Sequence, residues 1–244
     1  MKLGKNILLA LTWNNSQLMY FVAESRYGRF GCLSADTIQL EGSTDLEAAG
    51  QRLREVIREL GIKRRVQLLV GLSRSQVEMC DLVLPLADKL ELAAMVRNEV
   101  TRQSSEIMGE CLIDFVARER DGQSKITAAV VPAELNRSIQ QLCDAARLMP
   151  TCVVLRSFAL ASLFGRITHD KYDKYVLIGL LDGSADISIV SDGRLSFSRT
   201  AFLGSEGASR GWLAGQLSGE IQRSLTVASA NSQDSIEHIY LLGQ

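Results

Sequence analysis

Asp182, Gly183 and Ser184 stand between an apolar run, Tyr175 to Leu181, and an alternating segment, Ala185 to Ser191. This is the composition of a tight turn: Gly tolerates positive φ, and the Asp and Ser side chains can cap backbone groups. Such a turn exposes backbone N–H groups that can hold a phosphate. Further on, Glu220 and Arg223 are spaced i,i+3 on a predicted helix. As a plain surface ion pair they would contribute about 0.2–0.5 kcal/mol. His169 and His238 have neither metal-ligand spacing nor a nucleophile partner. The chain carries no Ser-His-Asp arrangement, Gly-rich P-loop or zinc cluster, so the sequence supplies no catalytic residue and no metal ligand.

The elements that must position these residues read clearly. Tyr175 to Leu181 is a continuous apolar run, the mark of a strand buried on both faces. Ile187 and Ile189 alternate with Asp186 and Ser188, and Asp192-Gly193 signals a hairpin into Leu195–Arg199. Lys174 to Gly204 is therefore a three-stranded meander. Upstream, Ile7–Leu11, Gln17–Glu24 and Arg29–Leu40 read as strands, with Trp13 to Ser16 as the first turn. Thr44 to Glu47 is a capping box opening a helix whose face carries Leu46, Ala49, Leu53 and Val56 and which ends at Gly61. Lys63-Arg64-Arg65 places three cations at that exit, which reads as a solvated turn suited to a helix C-terminus. Val66–Leu72 and Val77–Leu84 are strands, the second ended by Pro85.

Asp88 can cap the next helix, with Leu92, Val96 and Val100 on its apolar face. Cys111–Glu119 and Lys125–Val131 form a hairpin, and Pro132 starts a helix, where its missing N–H has no partner to lose. Thr151–Leu155 is a strand and Phe158–Phe164 a short apolar helix. A long helix spans Trp212 to Ala228, and Ile236 to Leu242 is a final strand.

The 244 residues are 46% hydrophobic and 23% charged, enough for a sizeable core in one or two domains. A net charge of −1 gives no overall electrostatic footprint for nucleic acid. No apolar stretch approaches the roughly 20 residues that span a bilayer, and the start lacks a signal peptide's layout. Five cysteines without CxxC spacing, four of them (Cys80, Cys111, Cys143, Cys152) within apolar runs or helix faces, read as buried reduced thiols.

The meander LLDGSADISIVSDGRLSFSR closely resembles the second phosphate hairpin of the actin-like ATPase superfamily (actin, Hsp70, sugar kinases, FtsA). Alone, it is also an ordinary β-meander. The flanking sequence is similar, in order, to the family of the type IV pilus assembly protein PilM and its GspL-like relatives. Leu84-Pro85, Glu91-Leu92, Ala94-Met95, Glu99, Val131-Pro132 and Phe158-Ala159-Leu160-Ala161 match that family's inserted subdomain across about 80 residues. The resemblance implies an α/β fold of actin-like (ribonuclease H-like) lobes. The first lobe would be residues 1–84 with 151–173, the inserted α+β subdomain 85–150, and an incomplete second lobe 174–244. By the same resemblance the chain stops at Gly243-Gln244, short of the closing helices and sheet, and is a fragment of a longer protein.

For nucleotide, the resemblance carries Asp182, Gly183 and Ser184 to phosphate, Glu220 and Arg223 to ribose and adenine, and Gly243 to the adenine-packing Gly pair. It also aligns Thr12 with the first-turn Asp and Asn14 with the first-turn Gly. Thr carries no charge for a hydrated Mg²⁺, and Asn can adopt left-handed φ but crowds a phosphate. The implied function is a cytoplasmic scaffold of a pilus or type II secretion-like machine, peripheral to the inner membrane through its partners. It would capture the extended N-terminal peptide of an inner-membrane protein, with a secretion ATPase as a further partner and no nucleic acid. The groove would be lined from Leu84-Pro85, the helix of Leu92 to Val100 and the strand Cys111 to Glu119. Charges at Arg118 to Asp121 could equally serve to protect that edge. The alternative is an ATP- and Mg-binding, weakly hydrolysing member of the same fold; a sugar-kinase-like enzyme is more remote, since no catalytic Asp or sugar pocket can be placed.

Overall fold

The computed structural model describes residues 6–27, 29–41, 45–103, 111–168, 174–181, 183–191, 193–204, 210–229, 236 and 238–242. The chain divides into two compact units, Met1–Leu72 with Gln76–Val153, and Ser73–Ser75 with Val154–Gln244.

The first unit begins with strands β1 (Asn6–Trp13), β2 (Gln17–Arg26) and β3 (Arg29–Gln39), then helix α1 (Leu46–Glu59) and strand β4 (Val66–Leu72). Together with β8 (Pro150–Leu155) they form one sheet in the order β3-β2-β1-β4-β8. β1 runs antiparallel to β2 and parallel to β4. Its alternate residues Ile7, Leu9, Leu11 and Trp13 are buried with Leu18, Tyr20 and Val22 of β2 and with Leu68, Val70 and Leu72 of β4. Trp13, expected in the turn, therefore extends the strand: it pairs with Leu18, and its ring joins the core face. α1 buries the expected stripe of Leu46, Ala49, Leu53 and Val56. Asp45 stands at its N-cap without a side-chain cap hydrogen bond; Thr44 of the expected capping box lies outside the described residues.

α3 (Ala133–Ala146) packs on α1. Gly50 is what lets the two helices touch: a Cβ there would lie 2.5 Å from Leu142 O and 2.8 Å from Ala145 Cβ. The same unit holds a second, three-stranded sheet, β5-β7-β6, of β5 (Glu78–Pro85), β6 (Leu112–Arg120) and β7 (Gln123–Val131). One face is covered by α2 (Lys89–Gln103), capped as expected by Asp88 Oδ1, which accepts the Leu90 and Glu91 N–H groups at 2.9 Å each. Leu92, Val96 and Val100 are buried there with Cys80, Leu82, Ile126, Ala128 and Val130.

The second unit is a four-stranded sheet, β11-β10-β9-β12, of β9 (Lys174–Leu181), β10 (Ser184–Ser191), β11 (Arg194–Phe202) and β12 (His238–Leu242). β9, β10 and β11 are the expected meander, and β12 adds on parallel to β9. α5 (Arg210–Ser229) lays Leu213, Leu217, Ile221 and Leu225 over Val176, Ile178, Ala185, Ile187 and Ile189 on one face. α4 (Arg156–Ile167) packs Ala161 and Phe164 against Tyr175, Leu177 and Val190 on the other. The resemblance placed 151–173 with the first lobe; α4's contacts lie with β9, β10 and β11.

Cys80 and Cys143 are buried and Cys111 is half-buried, whereas Cys152, expected inside, is exposed together with Cys32. Cys152 belongs to β8, at the edge of its sheet, whose first four residues are all exposed.

Candidate functional site

The first turn is held by one side chain. Asn14 Oδ1 accepts hydrogen bonds from the backbone N–H of Ser16 at 2.9 Å and of Gln17 at 2.8 Å, and from the Ser16 hydroxyl at 3.1 Å. This is an Asx turn, in which the amide oxygen does the work of a backbone carbonyl. Asn14 therefore has no need of the left-handed φ considered for it, and it is not among the positive-φ residues. Thr12, in β1 opposite Met19, buries its hydroxyl oxygen without a hydrogen-bond partner among the described residues. This turn brings no carboxylate to the place where the resemblance aligns an Asp, so it does not fit a hydrated Mg²⁺.

The second turn is closed onto its own sheet. Gly183 has φ +68°, and a Cβ there would stand 2.9 Å from Gly204 O. Its carbonyl accepts the Leu203 N–H at 2.8 Å, and the Ser184 hydroxyl donates to Leu181 O at 2.7 Å. Gly here answers two demands at once, positive φ and the close passage of 203–204. Asp182 and Gly243, both expected at nucleotide, lie outside the described residues.

Glu220 and Arg223 do meet, Arg223 Nη1 lying 2.7 Å from Glu220 Oε1. The pair is more than a surface bridge, because Glu220 is buried at 8% exposure and also pairs with Arg199 of β11. A carboxylate held between two guanidiniums ties α5 to β11.

A polar seam on the other face of the same sheet escaped the sequence reading. Asp186 Oδ2 meets Arg156 Nη2 at 2.8 Å, and Asp186 Oδ1 accepts the Thr200 hydroxyl at 2.6 Å. Thr200 in turn lies 3.0 Å from the Ser73 hydroxyl, which is 3.0 Å from that of Ser75. This chain joins the start of α4, two strands of the meander and the segment 73–75. The available signal was an Asp inside an apolar strand; its partner lies 30 residues upstream at a helix start, which periodicity does not reveal.

The expected peptide groove changes in one respect. Leu92, Val96 and Val100 are core residues of α2, with Val96 and Val100 fully buried, so they cannot line a surface. Among the described residues, β6 is an edge strand of its sheet. Its face away from α2 exposes Leu112 and Val116. The guarding charges Arg118, Glu119, Arg120 and Asp121 gather at the hairpin end, with Arg120 Nε 3.5 Å from Asp121 Oδ2.

Solved structures place this arrangement. The chain superimposes on the PilM-PilN type IV pilus biogenesis complex with a TM-score of 0.71 at 16% identity, covering 97% of this chain and 81% of that one. A Bacteroides thetaiotaomicron protein described as having an actin-like ATPase fold matches with a TM-score of 0.56 at 12% identity, over 98% of this chain and 82% of that one. The fold is actin-like. The cytoplasmic domain of EpsL, an inner-membrane component of the Vibrio cholerae type II secretion system, also shares it, with a TM-score of 0.60 at 10% identity over 98% and 83% of the two chains. No protein-family model matches the sequence, and neither does any curated protein. The two turns that the resemblance assigns to phosphate are those formed by Asn14 and by Gly183-Ser184. No helix of the described residues is long and apolar enough to cross a membrane.

Proposed function

We propose that this chain is a cytoplasmic scaffold of a type IV pilus or type II secretion-like machine, binding an extended N-terminal peptide of an inner-membrane partner. The observation that carries this reading is the β6 edge. Residues 112–117 lie on an edge that no strand of the described residues pairs, flanked by Leu112 and Val116, while the blocking charges stand apart at 118–121. An extended peptide gains main-chain hydrogen bonds along such an edge and sets alternate side chains against the exposed face. Solved structures of pilus and secretion components share the fold, one of them a PilM-PilN complex.

The first turn supports a binding role over turnover. Thr12 offers no charge to a metal's water shell, and Asn14 is committed to its own turn. The test is capture of the cytoplasmic N-terminal peptide of PilN, the partner in the structurally similar complex. Val116→Glu, on the exposed face of β6, should abolish capture with the fold intact. Capture untouched by Val116→Glu would place the partner elsewhere.

A further inference from the structure

The register of the first sheet gathers several basic segments at one end. Ile7 pairs with Val66, Asn6 with Ser25, and Ser25 with Phe30, so the start of β4 and the tip of the β2–β3 hairpin lie at the same end. Beside the start of β4, where α1 and α3 finish, is a cavity of about 1150 Å³. Arg54, Arg58, Lys63, Arg64, Arg65 and Arg147 ring it, against the carboxylates of Glu55 and Asp144. Glu55 is already held by Arg52 at 2.7 Å. The hairpin tip adds Arg26 and Arg29, all on a chain whose net charge is −1.

Among these cations, apolar side chains stand out into solvent: Tyr27 is 74% exposed, Phe30 65% and Met149 84%. Tyr27 holds φ at 52°, a conformation that Gly or Asn adopts with less strain. Arg26 lies over its ring at 5.5 Å from the centroid. The turn between the paired Arg26 and Arg29 accounts for the positive φ but does not call for an exposed aromatic ring. Cations in a shallow basin with aromatic and thioether tips at its rim match a bilayer surface, where Tyr sits at headgroup level and apolar tips reach the acyl boundary.

We propose that this end of the first unit is a docking surface for an anionic lipid bilayer. Arg58, Lys63, Arg65 and Arg147 meet headgroup phosphates, and Tyr27, Phe30 and Met149 enter the interface. A single-stranded nucleic acid also takes cations and rings, but Met149 offers no ring to stack on a base. The inference does not rest on peptide capture, which uses the edge of a different sheet.

The test is flotation of the full chain with phosphatidylglycerol–phosphatidylethanolamine vesicles, with phosphatidylcholine vesicles as the neutral arm. The expected result is co-flotation with the anionic vesicles alone, falling about tenfold between roughly 50 and 500 mM salt. Arg58→Glu with Arg65→Glu, and separately Tyr27→Ser with Phe30→Ser, should each reduce it by about tenfold. These side chains are exposed, so unchanged circular dichroism is expected; Met149→Ser, outside the hairpin, is the second check on the apolar contribution. No flotation with anionic vesicles, binding by both double variants equal to wild type, or preferential capture of a single-stranded oligonucleotide through the same residues would overturn the proposal.

Discussion

Asp186 sits in the middle of a strand otherwise made of Ala, Ile, Ser and Val, 5% exposed, and is kept there by Arg156 and Thr200. Removing one member of a buried pair leaves the other charge uncompensated, at a cost of about 3–5 kcal/mol. Asp186→Ala should therefore lower stability by that order in urea unfolding, while Arg156→Met with Asp186→Leu should lose much less. Equal losses from the single and double changes would mean that the pair is not what holds α4. Cys143 makes a second residue-scale case. Burial, with Asp144 adding to it, pushes its thiol up from 9.0 to about 11. Below pH 9 both folded and unfolded states keep the proton, and no stability is lost. Between pH 9 and 11 the unfolded chain alone ionises, so stability falls as pH rises; Cys143→Ala should flatten that part of the stability–pH curve. Such side-chain partnerships were the least legible feature of the sequence. Glu220 and Arg223 are visible as an i,i+3 pair, but Arg199, which turns the pair into a buried triad, comes from a strand about 20 residues away.

Elements were far more legible, because period and turn chemistry are local. The alternation of β10, the apolar run of β9 and the Asp88 cap all stand where the sequence put them. Trp13 was missed because an apolar residue beside Asn-Asn-Ser can end a strand or open a turn, and only the buried face of β1 decides. The apolar stripe of α2 was visible, but not what it faced: it covers β5, β6 and β7 rather than lining a groove. Gly50 shows the same limit from the other side, as a plain helix-interior glycine whose purpose appears only when α3 arrives. Overpacking at a tight contact costs about 1–3 kcal/mol, and Ala's better helix propensity offsets about 1 of it. Gly50→Ala should on balance destabilise the chain by up to about 2 kcal/mol, read as a lowered denaturation midpoint. A gain in stability would show that α1 and α3 can separate freely.

At the scale of the whole molecule, the fold is actin-like, and the described parts of the two turns that the resemblance assigns to phosphate are held from within: the first by Asn14, the second by Ser184 and the passage of 203–204. Calorimetry with Mg-ATP is expected to show no micromolar binding and no measurable turnover. Micromolar affinity abolished by Asp182→Ala would instead support the nucleotide-binding alternative. The fold was readable in the order of motifs along the chain; the proposed partner rests on resemblance, since an edge strand looks the same in sequence whether it is open or covered. Amide hydrogen exchange with the N-terminal peptide of PilN, the partner in the structurally similar complex, tests the binding role most directly. Capture along β6 predicts new protection of amides within 112–117, with the turns at 12–16 and 183–184 unchanged. Saturating peptide that leaves 112–117 exchanging as before would contradict the account.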